Sequence, residues 1–275
     1  MINKSNNDGV SKNTSSNFSG VVTFNDYFLK SKENGKSKKF NTPSEIPPQI
    51  STNHILGALP DFDIVRLFPH LEFVFLPSGE EIHPADELSR YIYFPETAVV
   101  SEVCDLADGN SIETAMVGSD GATGLEAILG LKPPPRRARI TIEGNAWRIK
   151  TDILKQEFVR AGKLQMLLLD YINRHINQIS QRLICKSFHL IEKRLCCWLL
   201  MLHDRVKNNQ LKLTQENTAL LFGAHRPSIT LAAQALRGKG LIDYSRGGIS
   251  ILDRQGLEYS ACECYSVFHL NHSNY

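Results

Sequence analysis

The chain has 275 residues, is 42% apolar and 22% charged, and carries a formal net charge of +2, which suits one or two globular domains and excludes a collagen-like, rod-like coiled-coil or wholly disordered chain. No apolar run approaches the ~20 residues needed to span a bilayer, and the polar start after Met1-Ile2 gives no signal peptide, so a cytoplasmic chain without a membrane partner is expected. The near-neutral total conceals a division: +3 over residues 1–50, −7 over 51–161 and +6 over 162–275, the last from fourteen Lys or Arg against eight Asp or Glu. An acidic middle joined to a basic end can mark a module that binds nucleic acid.

Residues 1–49 are rich in Ser, Asn and Lys and are closed by Pro43, Pro47 and Pro48. They hold too little apolar surface to offset ordering entropy and read as an extension. Ile50–Leu59 and Asp61–Leu67 look helical. Short apolar runs broken by turns then follow: Phe73–Leu76, Tyr91–Phe94, Ala98–Asp105, Ser111–Val117, Ala138–Glu143 and Ala146–Ile149. Strands of this length and spacing predict an all-β sandwich or barrel within residues 50–151. Within it, Gly121, Thr123 and Gly124 precede a short amphipathic segment, and Arg136 and Arg137 follow Pro133-Pro134-Pro135. The glycines could converge backbone N–H groups on an anion that an arginine pairs with, or they could form a tight corner packed by Leu125 and Leu129.

Residues 152–185 contain no proline and one glycine, Gly162. Leu164, Leu168, Ile172, His175, Ile179 and Leu183 recur at three- and four-residue intervals, which predicts one long helix with a continuous apolar stripe and a two-fold dimer seam along it. His175 within that stripe reads as a packed, satisfied residue. The six cysteines, Cys104, Cys185, Cys196, Cys197, Cys262 and Cys264, show no CxxC pair, so reduced thiols and no metal site are expected.

Residues 186–265 open with an apolar helix over Phe188–Val206. Thr214 then caps a short helix, Gly223-Ala224-His225 forms a turn, and Pro227 or Ser228 begins a second helix in which Ile229, Ala233 and Leu236 face inward. Two helices around such a turn form a helix-turn-helix whose second helix fits a major groove. Gly240-Leu241-Ile242 and the hairpin centred on Arg246, Gly247 and Gly248 add a wing. The candidate DNA contacts are Thr214, Gln215, His225, Arg226, Ser228, Thr230, Leu231, Gln234, Arg237 and Arg246. Residues 266–275 read as a tail. The overall class is therefore α+β: an all-β sandwich or barrel, a long helix and a C-terminal winged helix.

Pro77-Ser78-Gly79-Glu80, Ala98-Val99-Val100-Ser101, Asp108-Gly109, Gly118 to Gly124, Leu213-Thr214-Gln215-Glu216, Ser228-Ile229, Gly240-Leu241-Ile242 and Tyr244-Ser245-Arg246-Gly247 together resemble the Crp/Fnr family of bacterial transcription regulators. The resemblance covers about residues 50–265. It implies a jelly-roll-like, double-stranded β-roll of cyclic-nucleotide-binding type over residues 50–151, dimerisation through the long helix, binding to palindromic double-stranded promoter DNA and contact with RNA polymerase. It puts Arg226 where a family arginine contacts DNA, and Leu231 in place of a second base-reading arginine. Pro227 occupies a position that is usually acidic in cyclic-AMP responders. Those responders carry a Gly-Glu-Leu run, whereas Gly121-Ala122-Thr123-Gly124 lacks that carboxylate, so no cyclic nucleotide or other cofactor is expected. The effector positions left open are Gly121, Thr123, Gly124, Arg136 and Arg137, with Arg137 at the phosphate-facing position. Residues 1–103 have no cysteine, which excludes an N-terminal iron–sulfur cluster. A non-enzymatic regulator is therefore expected. The alternatives are an effector-gated protein adaptor with little DNA affinity and an enzyme built around His83, Glu80 and Glu81.

Overall fold

The computed structural model describes residues 51–213, 215–245 and 248–270. The expected extension, Thr214 and Arg246 lie outside the described residues. Two short helices, α1 (His54–Gly57) and α2 (Asp61–Leu67), lead into the roll. The Asn53 side chain accepts from the N–H groups of Ile55 and Leu56 at the start of α1. Its amide also donates to the carbonyls of Pro95 and Gly121 at 2.9 and 2.8 Å. One buried amide thereby ties the entry helix to two turns of the roll.

The roll is two antiparallel sheets. One has the order β1 (Glu72–Leu76), β7 (Gly144–Lys150), β3 (Tyr91–Pro95). The other has the order β2 (Glu81–His83), β6 (Arg137–Ile142), β4 (Val99–Asp105), β5 (Ser111–Val117). Five of the seven strands coincide with the expected apolar runs to within a residue at each end. β7 begins two residues earlier, at Gly144, and β2 was not anticipated. Glu81-Ile82-His83 has no apolar run, and a register shift lies within its pairing to β6, so it carries little period-two signal. Phe94, Ile92, Trp147 and Ile149 are buried, and Trp147 packs against Phe68 and Phe73.

The helix expected over 152–185 is divided. α3 (Thr151–Phe158) ends at Val159, and α4 (Lys163–Phe188) restarts after Ala161, whose φ is +56°. A left-handed non-glycine residue cannot continue a right-handed helix. At 26 residues, α4 is ~39 Å long.

The expected dimer stripe is also redistributed. Leu164 and Leu168 are buried against the chain's own roll. His175 binds Glu102 of β4 through Nε2 at 3.1 Å, and Ile172 and Ile179 are half-buried. Of the six, only Leu183 is exposed. Both faces of α4 are apolar, and the sequence pattern had merged them. The outward face carries Met166, Leu169, Ile176 and Leu183, all exposed.

Helix α5 (Ile191–Val206) is buried nearly all round, with Leu195, Cys196, Trp198, Leu199, Leu200 and Leu202 at 3% exposure or less. That marks a helix enclosed by other elements. The winged unit surrounds it: β8 (Gln210–Leu211), α6 (Gln215–Phe222), α7 (Arg226–Gly238), β9 (Ile242–Ser245), β10 (Gly248–Ile251), α8 (Arg254–Ser260) and α9 (Cys264–Leu270). Its sheet has the order β8-β10-β9. The residues expected to begin a tail at 266 instead complete α9, because Phe268 is buried in the shared core. That core is continuous from Val99, Val103 and Met116 of the roll through α5 to Leu236 and Ile249 of the winged unit.

A buried carboxylate joins these parts. Glu113 of β5 has a fully buried side chain and accepts from Arg182 of α4 at 2.7 Å. It also accepts from Trp198 Nε1 of α5 at 2.9 Å and from the Ser101 hydroxyl of β4. Removing it would strand a half-buried guanidinium and a buried indole N–H. Glu113→Ala is expected to lower unfolding free energy by about 3 kcal/mol. Urea titration followed by Trp198 emission checks this; a loss near zero would mean that water replaces the carboxylate.

Candidate nucleic-acid interface and roll interior

The turn between α6 and α7 depends on Gly223, whose φ is +55°. Ala224 N–H returns to the Ala219 carbonyl and Gly223 N–H to that of Leu220, which closes α6 in a left-handed cap. A Cβ at Gly223 would also lie 3.2 Å from the Ser111 carbonyl of β5, so the turn needs glycine for conformation and for approach to the roll. α7 then starts at Arg226 with Pro227 in its first turn, where the missing N–H costs nothing.

α7 buries Ile229, Ala232, Ala233 and Leu236 against its neighbours. The opposite face presents Arg226, Leu231, Gln234 and Arg237, all exposed, with Ser228 and Thr230 half-buried beside them. Arg226 forms no salt bridge among the described residues. Leu231 is 67% exposed, a large apolar side chain at the centre of a polar helix face. Thr230 donates to the Arg226 carbonyl at 3.0 Å, and Arg237 pairs with Asp243 at 3.0 Å, so both are partly engaged within the chain. Gln215 begins α6. His225 lies in the turn and borders a cleft shared with Leu106, Ser111, Ile112 and Lys186, facing the roll as well as solvent.

The expected effector positions fall into two groups. Gly121 and Gly124 serve packing. A Cβ at Gly121 would sit 2.0 Å from the Tyr171 ring of α4, and one at Gly124, whose φ is +90°, would sit 2.9 Å from His83 Nε2. Thr123 is buried and its backbone bridges to Tyr93. The tight-corner reading describes this run better than an anion cradle does. Both arginines are already engaged by carboxylates. Arg137 pairs with Asp105 at 2.6 Å and Glu81 at 3.5 Å. Arg136, not Arg137, reaches the buried Glu102, at 2.8 Å, and Glu126, at 3.6 Å. Sequence reasoning missed Glu102 and Glu126, and it grouped His83 only with the glutamates of the turn before it. All three belong to the polar interior that Arg136 and His175 enter. The interior thus holds a carboxylate, Glu126, two residues beyond the glycine run.

Burial disfavours the charged form of Glu102, but the His175 ring and Arg136 override it and hold the carboxyl at about 2. His83 is held neutral instead: burial lowers it from 6.5 to about 4, only partly offset by Glu102. Its Nε2 has no hydrogen-bond partner among the described residues.

Residues 193–259 match the family described as the Crp-like helix-turn-helix domain. Among solved structures, FixK2 from Bradyrhizobium japonicum is 17% identical with a TM-score of 0.60, covering 70% of this chain and 98% of that one. A CRP-family transcriptional regulator from Thermus thermophilus is 21% identical with a TM-score of 0.58, covering 68% and 96%. The c-di-GMP responsive global regulator CLP from Xanthomonas campestris is 15% identical with a TM-score of 0.55, covering 70% and 100%. Comparison with curated protein sequences finds no match. The chain has the Crp/Fnr regulator fold.

In this fold the winged unit carries the helix-turn-helix. Among the described residues no helix is long and apolar enough to cross a membrane. His83, Glu80 and Glu81, the expected enzyme alternative, do not converge: His83 is buried, while Glu80 is exposed on the turn before β2 and Glu81 is exposed at the start of that strand.

The neutral His83 gives the roll a definite pH response. As pH falls from 6.5 toward 4, the unfolded chain takes up a proton there that the folded chain refuses, so this part of the stability is present above 6.5 and lost on acidification. The loss should approach about 3 kcal/mol. Denaturation at pH 7 and pH 4.5 should show a smaller pH-dependent loss for His83→Gln than for the parent chain. Equal losses would refute the assignment.

Proposed function

We propose that this chain is a homodimeric, sequence-specific transcription regulator that reads double-stranded promoter DNA with α7. The observation that carries this reading is the α7 face itself. Ile229, Ala232, Ala233 and Leu236 anchor the helix, leaving Arg226, Leu231 and Gln234 exposed on one side. A helix so presented fits a major groove. Arg226, at its N-terminal end, supplies a guanidinium for a guanine edge or a phosphate. Gln234 suits an adenine edge, and Leu231 suits a thymine methyl. Apolar readout at position 231 accords with an operator distinct from those read by an arginine there.

Dimerisation follows from the outer face of α4. Met166, Leu169, Asn173, Ile176, Ser180 and Leu183 recur at alternating three- and four-residue steps, and the four apolar members are exposed in the single chain. That is a coiled-coil seam. Two chains joined there would carry two α7 helices related by a two-fold axis, which suits a palindromic site. The mechanism is non-enzymatic, the expected location is the cytoplasm, and RNA polymerase is the expected protein partner. The polar group around Glu102 and Arg136 is the place where an effector would compete for ion pairs and bias α4 through His175. Its own carboxylates already meet both arginines, which disfavours an anionic cyclic nucleotide.

Selection of bound duplexes from genomic DNA tests the reading directly. Recovery of palindromic sites supports it, whereas equal weak affinity for every duplex would favour the protein-adaptor alternative. On a recovered site, Arg226→Ala should weaken binding roughly tenfold or more, corresponding to one lost bidentate contact. Unchanged affinity at fixed salt would remove Arg226 from the interface. Ile176→Glu should convert the dimer to monomer in sedimentation without loss of helical content, because Ile176 is exposed in the single chain.

A further inference from the structure

Cysteine spacing in the sequence predicts no metal site, yet the fold gathers four metal-ligating side chains from two distant segments. Cys185 lies near the end of α4 and His189 just past it. Cys262 and Cys264 lie at the start of α9, 77 residues or more beyond Cys185. The ligand atoms of Cys185, His189, Cys262 and Cys264 all lie within 4.8 Å of one another. Cys185 Sγ is 3.5 Å from Cys262 Sγ, and Cys264 Sγ is 3.5 Å from His189 Nδ1. Tetrahedral zinc, with Zn–S near 2.3 Å and Zn–N near 2.0 Å, sets ligand-to-ligand edges of about 3.5–3.8 Å. The four atoms therefore need to close in only slightly around an ion.

The surroundings fit a metal ligand set better than simple thiol packing. Glu263 places Oε1 3.3 Å from His189 Nε2, so the ring nitrogen turned away from the thiols meets a carboxylate, the arrangement that orients a metal-bound imidazole. Gln181 Nε2 donates to Cys264 Sγ at 3.1 Å, as suits a thiolate. Cys197 Sγ lies 3.2 Å from Cys262 Sγ and stands outside the four. A buried cysteine that only fills space needs none of these polar neighbours. Three soft thiolates and one imidazole, closed in by protein, are a structural zinc set.

We propose that Cys185, His189, Cys262 and Cys264 bind one zinc-type ion that staples the end of the long helix to the C-terminal segment of the winged unit. Each cysteine ligand releases its proton to solvent as the ion binds, with no change of oxidation state. The ion would fix the angle at which α4 hands over to the reading domain, and it requires neither DNA nor an effector.

The test uses the full chain, kept reduced and stripped with a chelator, then titrated with cobalt(II) and zinc(II). The expected result is one cobalt per chain with the intense ligand-field absorption of a tetrahedral, thiolate-rich site, bleached by one equivalent of zinc. Zinc should raise the melting temperature of the parent chain and of Cys104→Ser, but not of His189→Ala combined with Cys264→Ser. Glu263→Gln, an exposed change that leaves all four ligands in place, should weaken zinc in chelator competition by roughly 10- to 100-fold. Substoichiometric binding by the parent chain, a weak octahedral spectrum, or full tetrahedral binding in the double variant would each overturn the proposal.

Discussion

The open edge of β5 is the constraint on which the rest of the molecule depends. β5 is the last strand of its sheet, so among the described residues one side of its backbone has no strand partner. Unpaired edge groups must be covered or they template association. Here the helices cover them with side chains. Gln178 of α4 accepts from Met116 N–H at 2.8 Å, and Arg205 of α5 reaches the Met116 carbonyl at 3.5 Å. Arg182 reaches the Glu113 carbonyl at 3.5 Å as well as the Glu113 carboxylate. Just beyond the strand, Asp120 meets the same Arg205 at 2.9 Å. Apolar packing alone would cover this edge without setting an angle, because the hydrophobic effect is non-directional. Directed bonds from α4 and α5 set the angle of both helices to the roll.

That geometry explains why the helix-turn-helix needs its glycine where it does. α6 lies along the same strand, and Gly223 approaches the Ser111 carbonyl too closely for a side chain. Phe222 next to it packs edge-on against Trp198 at 5.4 Å, and Trp198 in turn donates to Glu113. The chain of contacts from the sheet edge to the turn before α7 is therefore short. It passes through Glu113, Trp198 and Phe222, and it gives the roll a physical route to the orientation of α7. A cavity of about 370 Å³ lined by Ile112, Ile179, Leu183, Trp198, Leu221 and Phe222 lies beside this route. Interfaces with such unfilled volume can hold more than one packing arrangement, which a tightly filled core does not.

The sequence revealed local patterns well and distant encounters poorly. Strands β3 to β5, and the helix-turn-helix, were legible because period-two runs, a glycine turn and a Pro-led helix are encoded within a few residues. β2 was not, because its three residues acquire strand character only by pairing with β6. The stripe on α4 was only partly legible because that helix is apolar on two faces, and periodicity cannot say which one the chain itself covers. Arg136 and Arg137 were near neighbours with exchanged duties, since alternation sends one to Glu102 and the other to Asp105. The cysteine group was invisible for the same reason as β2. Its one local trace was the four-residue step from Cys185 to His189, which places two ligands on one side of a helix end.

Charge makes the same point about what composition can and cannot carry. The basic end has an excess of six positive charges, but much of its cationic surface is already committed. Lys239 pairs with Glu192, Lys212 with Glu143, and Arg237 with Asp243. Exposed pairs of this kind are weak and exchange readily for other partners, so these cations can still turn toward a phosphate backbone while giving up little. Arg226 is different, since it gives up no salt bridge among the described residues. On the proposed reading, a helix whose N-terminal arginine forms no salt bridge among the described residues, while its C-terminal arginine must leave a carboxylate, would gain most of its charge-assisted contact with DNA at its first turn. The specificity of the face would then rest on position 226 and on the apolar side chain at 231 more than on the net charge of this end of the chain.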